Sequence, residues 1–280
     1  VVQILNMLER DNLKQWGPQH PKTIHLTASA MRAAFRDRAK YLGDDDFVDV
    51  PVEGLTSKKY AQELRKQISP DHAQTEQEGV DLDAFKYESA ETTHFSIMDG
   101  EGNAVVSTQT INGSMGSGVV VPGTGVVLNN EMDDFAAKEG ASNLFGALGG
   151  KNNLIGPKKR PLSSMSPTLV FKDKFPVLAL GTPSGTRILT CVTQVILNHI
   201  EHGLPLYDAV AALRYHHQYA PNALYLETGP WDTQVRRLLK EMGHDVQDKD
   251  LGCRIQAIAN SGDELEGVSD PRGEGMAAGL

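Results

Sequence analysis

Apolar positions recur at helical spacing in the early part of the chain. Ile4, Leu5 and Leu8 make an amphipathic pattern over Val1–Glu9 that reads as the end of a helix. Met31, Phe35, Ala39 and Leu42 then fall on one face, with Gly43 following as a stop. Ser57 to Ile68 repeats the pattern with Tyr60, Leu64 and Ile68 on one side, and Pro70 ends it. Arg32, Arg36, Arg38 and Lys40 form the most basic stretch, expected to be a solvated face or to pair with Asp44, Asp45 and Asp46. Residues 71–91 are polar and without period, as in an exposed linker. Thr92–Met98 and Ala104–Thr110 are β-favouring runs around the turn residues Asp99-Gly100-Glu101-Gly102, which predicts a hairpin.

A glycine-rich stretch, Gly116 to Gly125, leads into a short predicted strand over Gly125–Leu128. Asp134 to Lys159 holds Gly140, Gly146, Gly149, Gly150 and Gly156, and reads as a long loop of the kind that is functional or mobile. Gly149-Gly150-Lys151 is not a phosphate loop, because Phe145 and Asn152 stand where a glycine and a Ser or Thr are needed. Leu169–Phe171 and Val177–Leu180 suggest a strand pair. The turn Gly181-Thr182-Pro183-Ser184-Gly185-Thr186 then opens a helix with Ile188, Val192, Val195 and Ile196 inward and Gly203 as its cap. Pro205 starts a shorter helix, and Trp231–Met242 forms another, capped by Gly243. Arg254–Ala259 and Leu265–Ser269 are β-like. This succession predicts a layered α+β fold.

The totals narrow the function. At 280 residues with 40% apolar and 22% charged positions, the chain has the makings of a substantial core. A net charge of −9 argues against nucleic acid or an anionic membrane as partner. No apolar stretch is long enough to span a bilayer. Cys191 and Cys253 are too few for a disulfide framework and are expected as buried thiols. His199, His202, His216 and His217 lack partners at ligand spacing, so no metal is expected, and no dinucleotide fingerprint implies a cofactor. The chain begins inside an amphipathic pattern without a Met, and is expected to be a fragment whose N-terminus lies upstream.

One junction suggests chemistry. The polar linker ends abruptly at Thr92-Thr93, at the first position of a strand. Cutting between Glu91 and Thr92 would place an α-amine beside a hydroxyl, giving nucleophile and base in one residue. Such an amine, with a pKa of roughly 7.7–8.0, accepts a proton near neutral pH. The plain alternative is an ordinary strand threonine. Thr93 is the adjacent rival as nucleophile, and His94 is a candidate for a separate base on the Thr92 face.

The runs TTHFSIMDGEGNAVVSTQTIN at 92–112, LNNEMDDF at 128–135 and GPKKRPLSSMSPT at 156–168 closely resemble γ-glutamyltranspeptidases, and the likeness extends from Val1 to Arg272. The resemblance implies a four-layer αββα sandwich of the N-terminal-nucleophile hydrolase type. Residues 1–91 would be the end of the large segment and 92–280 the small catalytic segment, together parts of one domain. It implies Thr92 as nucleophile, supported by Thr110. Asn112, Glu131, Asp134 and the pair Ser163-Ser164 would bind the substrate's ammonium and carboxylate. The backbone at Ser184 and Gly185 would form the oxyanion hole, where the family has two glycines. Phe145 takes the place of an aromatic lid residue that is often Tyr. The partners implied are a γ-glutamyl compound such as glutathione, water or an acceptor amine, and an earlier part of the large segment that supplies an arginine. Localisation by analogy is periplasmic or secreted. Rival readings are a same-fold poly-γ-glutamate hydrolase or cephalosporin acylase, or a binding protein that kept the fold. Retention of the 135–159 loop speaks against the two enzymes.

Overall fold

A computed structural model describes residues 1–74 and 92–279. Most of the expected linker, and Glu91 with it, lies outside the described residues. In chain order the elements are helices α1 (Val2–Leu8), α2 (Pro21–Tyr41), α3 (Val52–Thr56) and α4 (Lys58–Gln67), then strands β1 (Thr92–Met98) and β2 (Ala104–Thr110). Strands β3 (Thr168–Lys172) and β4 (Phe175–Gly181) follow, with helices α5 (Arg187–Ile196) and α6 (Leu206–Ala211). The chain continues through β5 (Tyr215–His216), β6 (Leu224–Glu227), α7 (Thr233–Glu241), β7 (Val246–Lys249), β8 (Gln256–Asn260) and β9 (Leu265–Ser269). These elements are shared between two units, each drawn from separated stretches of the chain.

The first unit takes residues 1–88, 131–163 and 213–250. Its centre is α2, whose N-terminus is set by Pro21 in the first turn and by the His20 ring accepting the Lys22 N–H at 3.2 Å. Ile24, Met31 and Phe35 are buried, as are Ile4 and Met7 of α1 and Leu64 of α4. Each such side chain contributes about 1.5–3 kcal/mol relative to exposure. The helix is buried nearly all round, and this corrects the expectation of a solvated basic face. Arg32 and Arg38 are both buried. Asp44, Asp45 and Asp46 pair instead with Arg160, whose backbone N–H also donates to Asp44 at 2.6 Å. These contacts hold the Asp44 carboxyl well below the usual carboxylate range. Gly43 has a different role from a cap: α2 ends in extended backbone at Leu42, and a Cβ on Gly43 would overlap the Asn152 carbonyl. The unit's sheet is β5-β6-β7, antiparallel then parallel, and its short strands are not apparent in the sequence pattern.

The second unit takes residues 89–130, 164–212 and 251–280. β1 and β2 pair antiparallel with Thr92 opposite Thr110, and the hairpin packs on β4 and β8. The larger sheet runs β3-β4-β8-β9, all antiparallel, with Leu178, Ala179 and Leu180 of β4 fully buried. The strand expected at 125–128 is reduced to one bridge, Val120 to Val127. Cys191 on α5 and Cys253 are buried as expected, but they are joined in a disulfide, a correction to the thiol reading. Their separation of 62 residues gave no pairing signal in a chain with so few cysteines.

Arg272 closes this unit. Its guanidinium donates to the carbonyls of Val210, Ala211 and Ala212 at the end of α6, and to the buried Asp270 carboxylate at 3.1 Å. Asp270 in turn accepts the Ile255 N–H at 2.9 Å. Removing the cation strands a buried carboxylate and helix-end carbonyls together. Arg272→Met should therefore lower stability by about 3–5 kcal/mol, read as a drop in the thermal midpoint.

Candidate active site

β1 begins at Thr92 because the β-branched pair there suits a pleat, and the turn at residues 99–102 returns the chain in register. Thr92 Oγ1 donates to Thr110 Oγ1 at 3.0 Å, across the hairpin's open end. The same Thr110 oxygen accepts the Asn112 N–H at 2.8 Å. Asn112 lies beyond the strand. β2 ends at Thr110, and Asn112 turns into the left-handed region at φ 74°, a conformation Asn tolerates. Asn130 pins this turn, its side chain accepting the Gly113 N–H at 2.7 Å. Thr92, Thr93, Pro183 and Arg254 line one cavity of about 350 Å³ within this unit.

His94 is not a base for Thr92. Its Nδ1 lies 2.8 Å from Thr108 Oγ1 and its Nε2 3.1 Å from Ser96 Oγ. Ser96 gives its own proton to the Gln256 carbonyl, so it accepts from His94 Nε2–H, and Thr108 donates to Nδ1. Both ring nitrogens are thus committed in the neutral form. Burial pushes the imidazole down to about 4. Gly181 presses on this ring so closely that a Cβ would overlap it.

Ser184 and Gly185 sit in the turn that opens α5, at φ 114° and 54°. The first value is strained for any L side chain, a cost of about 1–3 kcal/mol. The Ser184 hydroxyl offsets this by donating to the Leu251 carbonyl at 2.7 Å and accepting from Arg187 Nε at 3.0 Å.

The remaining predicted residues belong to the first unit, except Ser164, which is buried in the second. Glu131 and Asp134 share one tight turn and are hydrogen-bonded through their side chains. Burial raises the Glu131 carboxyl, and the bond with Asp134 works the other way. Asp134 is itself buried. Asn153, which the sequence reading missed, ties this turn to the stretch just before Ser163. Its Nδ2 donates to the Asp134 carbonyl at 2.8 Å, and its Oδ1 accepts the Leu162 N–H at 3.1 Å, next to the exposed Ser163. Phe145 is buried in the loop, with its N–H held by Asn143 Oδ1 at 3.0 Å. Arg38 is buried too, as its position three after Phe35, on the apolar stripe of α2, allows. Loss of solvent brings its guanidinium down to about 10, and the Asp134 charge pulls the other way. Among the described residues no group of His, Cys, Asp or Glu forms a metal site.

The sequence matches the family described as gamma-glutamyltranspeptidase over residues 1–280. It is 44% identical over 273 residues to the glutathione hydrolase proenzyme of Escherichia coli (strain K12), covering 97% of this chain and 47% of that protein. It is similar to the solved gamma-glutamyltranspeptidase from Pseudomonas nitroreducens complexed with L-DON, at 48% identity and TM-score 0.64. That match covers 67% of this chain and 99% of the other. A cephalosporin acylase from Bacillus halodurans aligns over 99% of this chain and 49% of its own, at 28% identity and TM-score 0.79. The chain spans about half the length of the curated relatives it matches. The fold is α+β and of the N-terminal-nucleophile hydrolase type, as expected.

The His94 burial has a consequence for acid stability. Its pKa falls from roughly 6.5 unfolded to about 4 folded. Between these values the unfolded chain binds more protons, so stability falls as pH drops through that window and is fully present above it. Thermal midpoints measured from pH 7 to pH 4 should decline, and His94→Gln should show a shallower decline than the wild type.

Proposed function

The chain belongs to the γ-glutamyltranspeptidase family, and on that premise we propose that its protein cleaves γ-glutamyl amides such as glutathione through a γ-glutamyl ester on Thr92. The observation that carries this reading is the Thr92–Thr110 hydroxyl pair at the head of β1. A hydroxyl in that place, with His94 spent elsewhere, needs a base, and the α-amine freed by cutting before Thr92 supplies one. The reaction then runs in two halves. Thr92 Oγ bonds to the γ-carbonyl carbon as its proton passes to the α-amine. The carbon–nitrogen bond breaks and the leaving amine takes that proton. Water or an acceptor amine attacks the ester, and Thr92 recovers its hydroxyl. Backbone N–H groups of the turn at Ser184 and Gly185 suit the oxyanion, since they stand at the start of α5.

Asp134, Glu131 and Asn112 suit the substrate ammonium, and Ser163 and Ser164 its carboxylate. Phe145 would serve as an apolar lid residue. The proposed location is periplasmic or secreted, and the Cys191–Cys253 disulfide supports it, because such bonds persist in oxidising compartments. No helix among the described residues is long and apolar enough to cross a membrane.

Self-cleavage before Thr92 follows from the same hydroxyl, which attacks the preceding carbonyl and shifts the acyl group to oxygen before water releases it. On a denaturing gel Thr92→Ala should remain one chain, while Thr92→Ser should be cut slowly. Two chains from purified Thr92→Ala would sink the reading. Asp134→Ala should still be cut, yet lose turnover of a γ-glutamyl anilide, since a buried ammonium without its partner costs about 3–5 kcal/mol. Unchanged glutathione hydrolysis in that variant would count against the head-group assignment.

A further inference from the structure

Helix α2 carries a buried cation beside a buried acid. Arg38 is 8% exposed and Asp134 5%, and both lie in the first unit. The last turn of α2 is packed directly against the stretch that fixes Asp134. A Cβ on Gly150 would overlap the Ala39 carbonyl, and Asn152 Nδ2 donates to the Tyr41 carbonyl at 3.0 Å. The next residue, Asn153, holds the Asp134 backbone at 2.8 Å. The acid beside Arg38 in sequence is engaged elsewhere: Asp37 accepts from Gln3 Nε2 at 2.7 Å and from the Tyr60 hydroxyl at 3.0 Å. Charged groups that act on this turn include Arg38 from α2, which feels the Asp134 charge, and Glu131, which is hydrogen-bonded to Asp134.

We propose that Arg38 is a positioning residue for head-group recognition, holding the Asp134 carboxylate charged and aimed so that it can receive the substrate ammonium. This rests on the proposed function above. A cation beside a cation-binding site needs a reason, and Glu131 supplies it. Two hydrogen-bonded carboxyls, Asp134 buried and Glu131 half-buried, retain a proton between them without a counter-charge, because like charges that close cannot both ionise. A protonated Asp134 would offer an ammonium a weak neutral acceptor. With Arg38 engaged, both acids can be ionised, and a carboxylate has lone pairs enough for a guanidinium and an ammonium together. The three side chains plus the substrate ammonium then sum to zero charge. Arg38 never touches the reacting atoms.

The test uses the whole protein. With a γ-glutamyl anilide, Arg38→Met should raise KM by about tenfold or more with a smaller change in kcat, and should move the acid limb of kcat/KM up by about one pH unit. Arg38→Lys should restore the acid limb largely and KM only in part, because an ammonium keeps the charge but loses the planar fork. A purely structural arginine would leave the acid limb in place, and that result overturns the proposal. Pairing is read separately, without turnover, by thermal midpoints of wild type, Arg38→Met, Asp134→Asn and the double variant. The loss caused by Arg38→Met should be smaller in the Asp134→Asn background, and strict additivity overturns the pairing. Should Arg38→Met fail to fold, the same cycle with Arg38→Lys carries the comparison. A wild type that matures but leaves γ-glutamyl amides intact refutes the proposed function, while the thermal cycle still decides on Arg38.

Discussion

The hydroxyl proposed as nucleophile stands at the first residue of a strand, where strands ordinarily fray, and the hydrogen bond between Thr92 and Thr110 holds it there. That bond closes the last register pair of the hairpin. Thr110 has a second obligation, since it also receives the Asn112 N–H where the chain turns away. The proposed nucleophile, the hydroxyl proposed to support it and the proposed binding residue are therefore linked through one oxygen atom. Behind them the strand's inward side is closed by His94, whose neutral ring is locked between two hydroxyls and backed by Gly181. Anything that loosened this side would change where the Thr92 oxygen points.

The first unit solves a different problem, which is how to hold acids in place away from water. Backbone N–H groups of Asp46 and Arg160 serve the Asp44 carboxylate alongside the Arg160 cation. Asn153 joins the Asp134 turn to the stretch leading to Ser163, and the neighbouring Asn152 joins that region to α2. Arg160 fastens the Asp44 end of the same stretch with both its backbone and its side chain. Such a network is stiff because each member satisfies two others, and it fails as a group when one is removed.

The sequence pattern made the long, periodic elements legible. The helices over residues 58–67 and 187–196, the second half of the one over 21–41 and the hairpin from Thr92 to Thr110 stand close to where their apolar spacing puts them, while the stretch from Pro21 to Ala30 extends the helix beyond that pattern. Most of the candidate site was legible only through long motifs in fixed order, since each residue alone has an ordinary explanation. What escaped was set by tertiary contact. The strands β5 to β7 hold between two and four residues each, too short for an alternation to register. The charge of Arg38 points to solvent or to Asp44, Asp45 and Asp46, whereas its place on the Phe35 face points inward, and position wins. Asn153 is a polar residue in a glycine-rich loop, and nothing local marks it as a bridge. The disulfide depends on α5 meeting the segment before β8, which spacing does not encode.

The contacts at Gly43 and Gly150 bear on how the long loop can move. At both points backbone meets backbone with no side chain between, Gly43 against Asn152 and Gly150 against Ala39. Such contacts cannot slide or repack as side chains do, so the C-terminal root of the loop is riveted to α2 and shares its motion. Its N-terminal root is fixed in turn, through Ala136 N–H to the Asn153 carbonyl at 2.9 Å. The stretch between, residues 137–148, is braced as well: the Leu144 N–H donates to the Asp133 carbonyl at 3.0 Å and Asn143 Nδ2 to the Asp134 carbonyl at 3.4 Å. Phe145 therefore sits in an arch with three footings, and displacing it means breaking the bonds to the Asp133-Asp134 turn first.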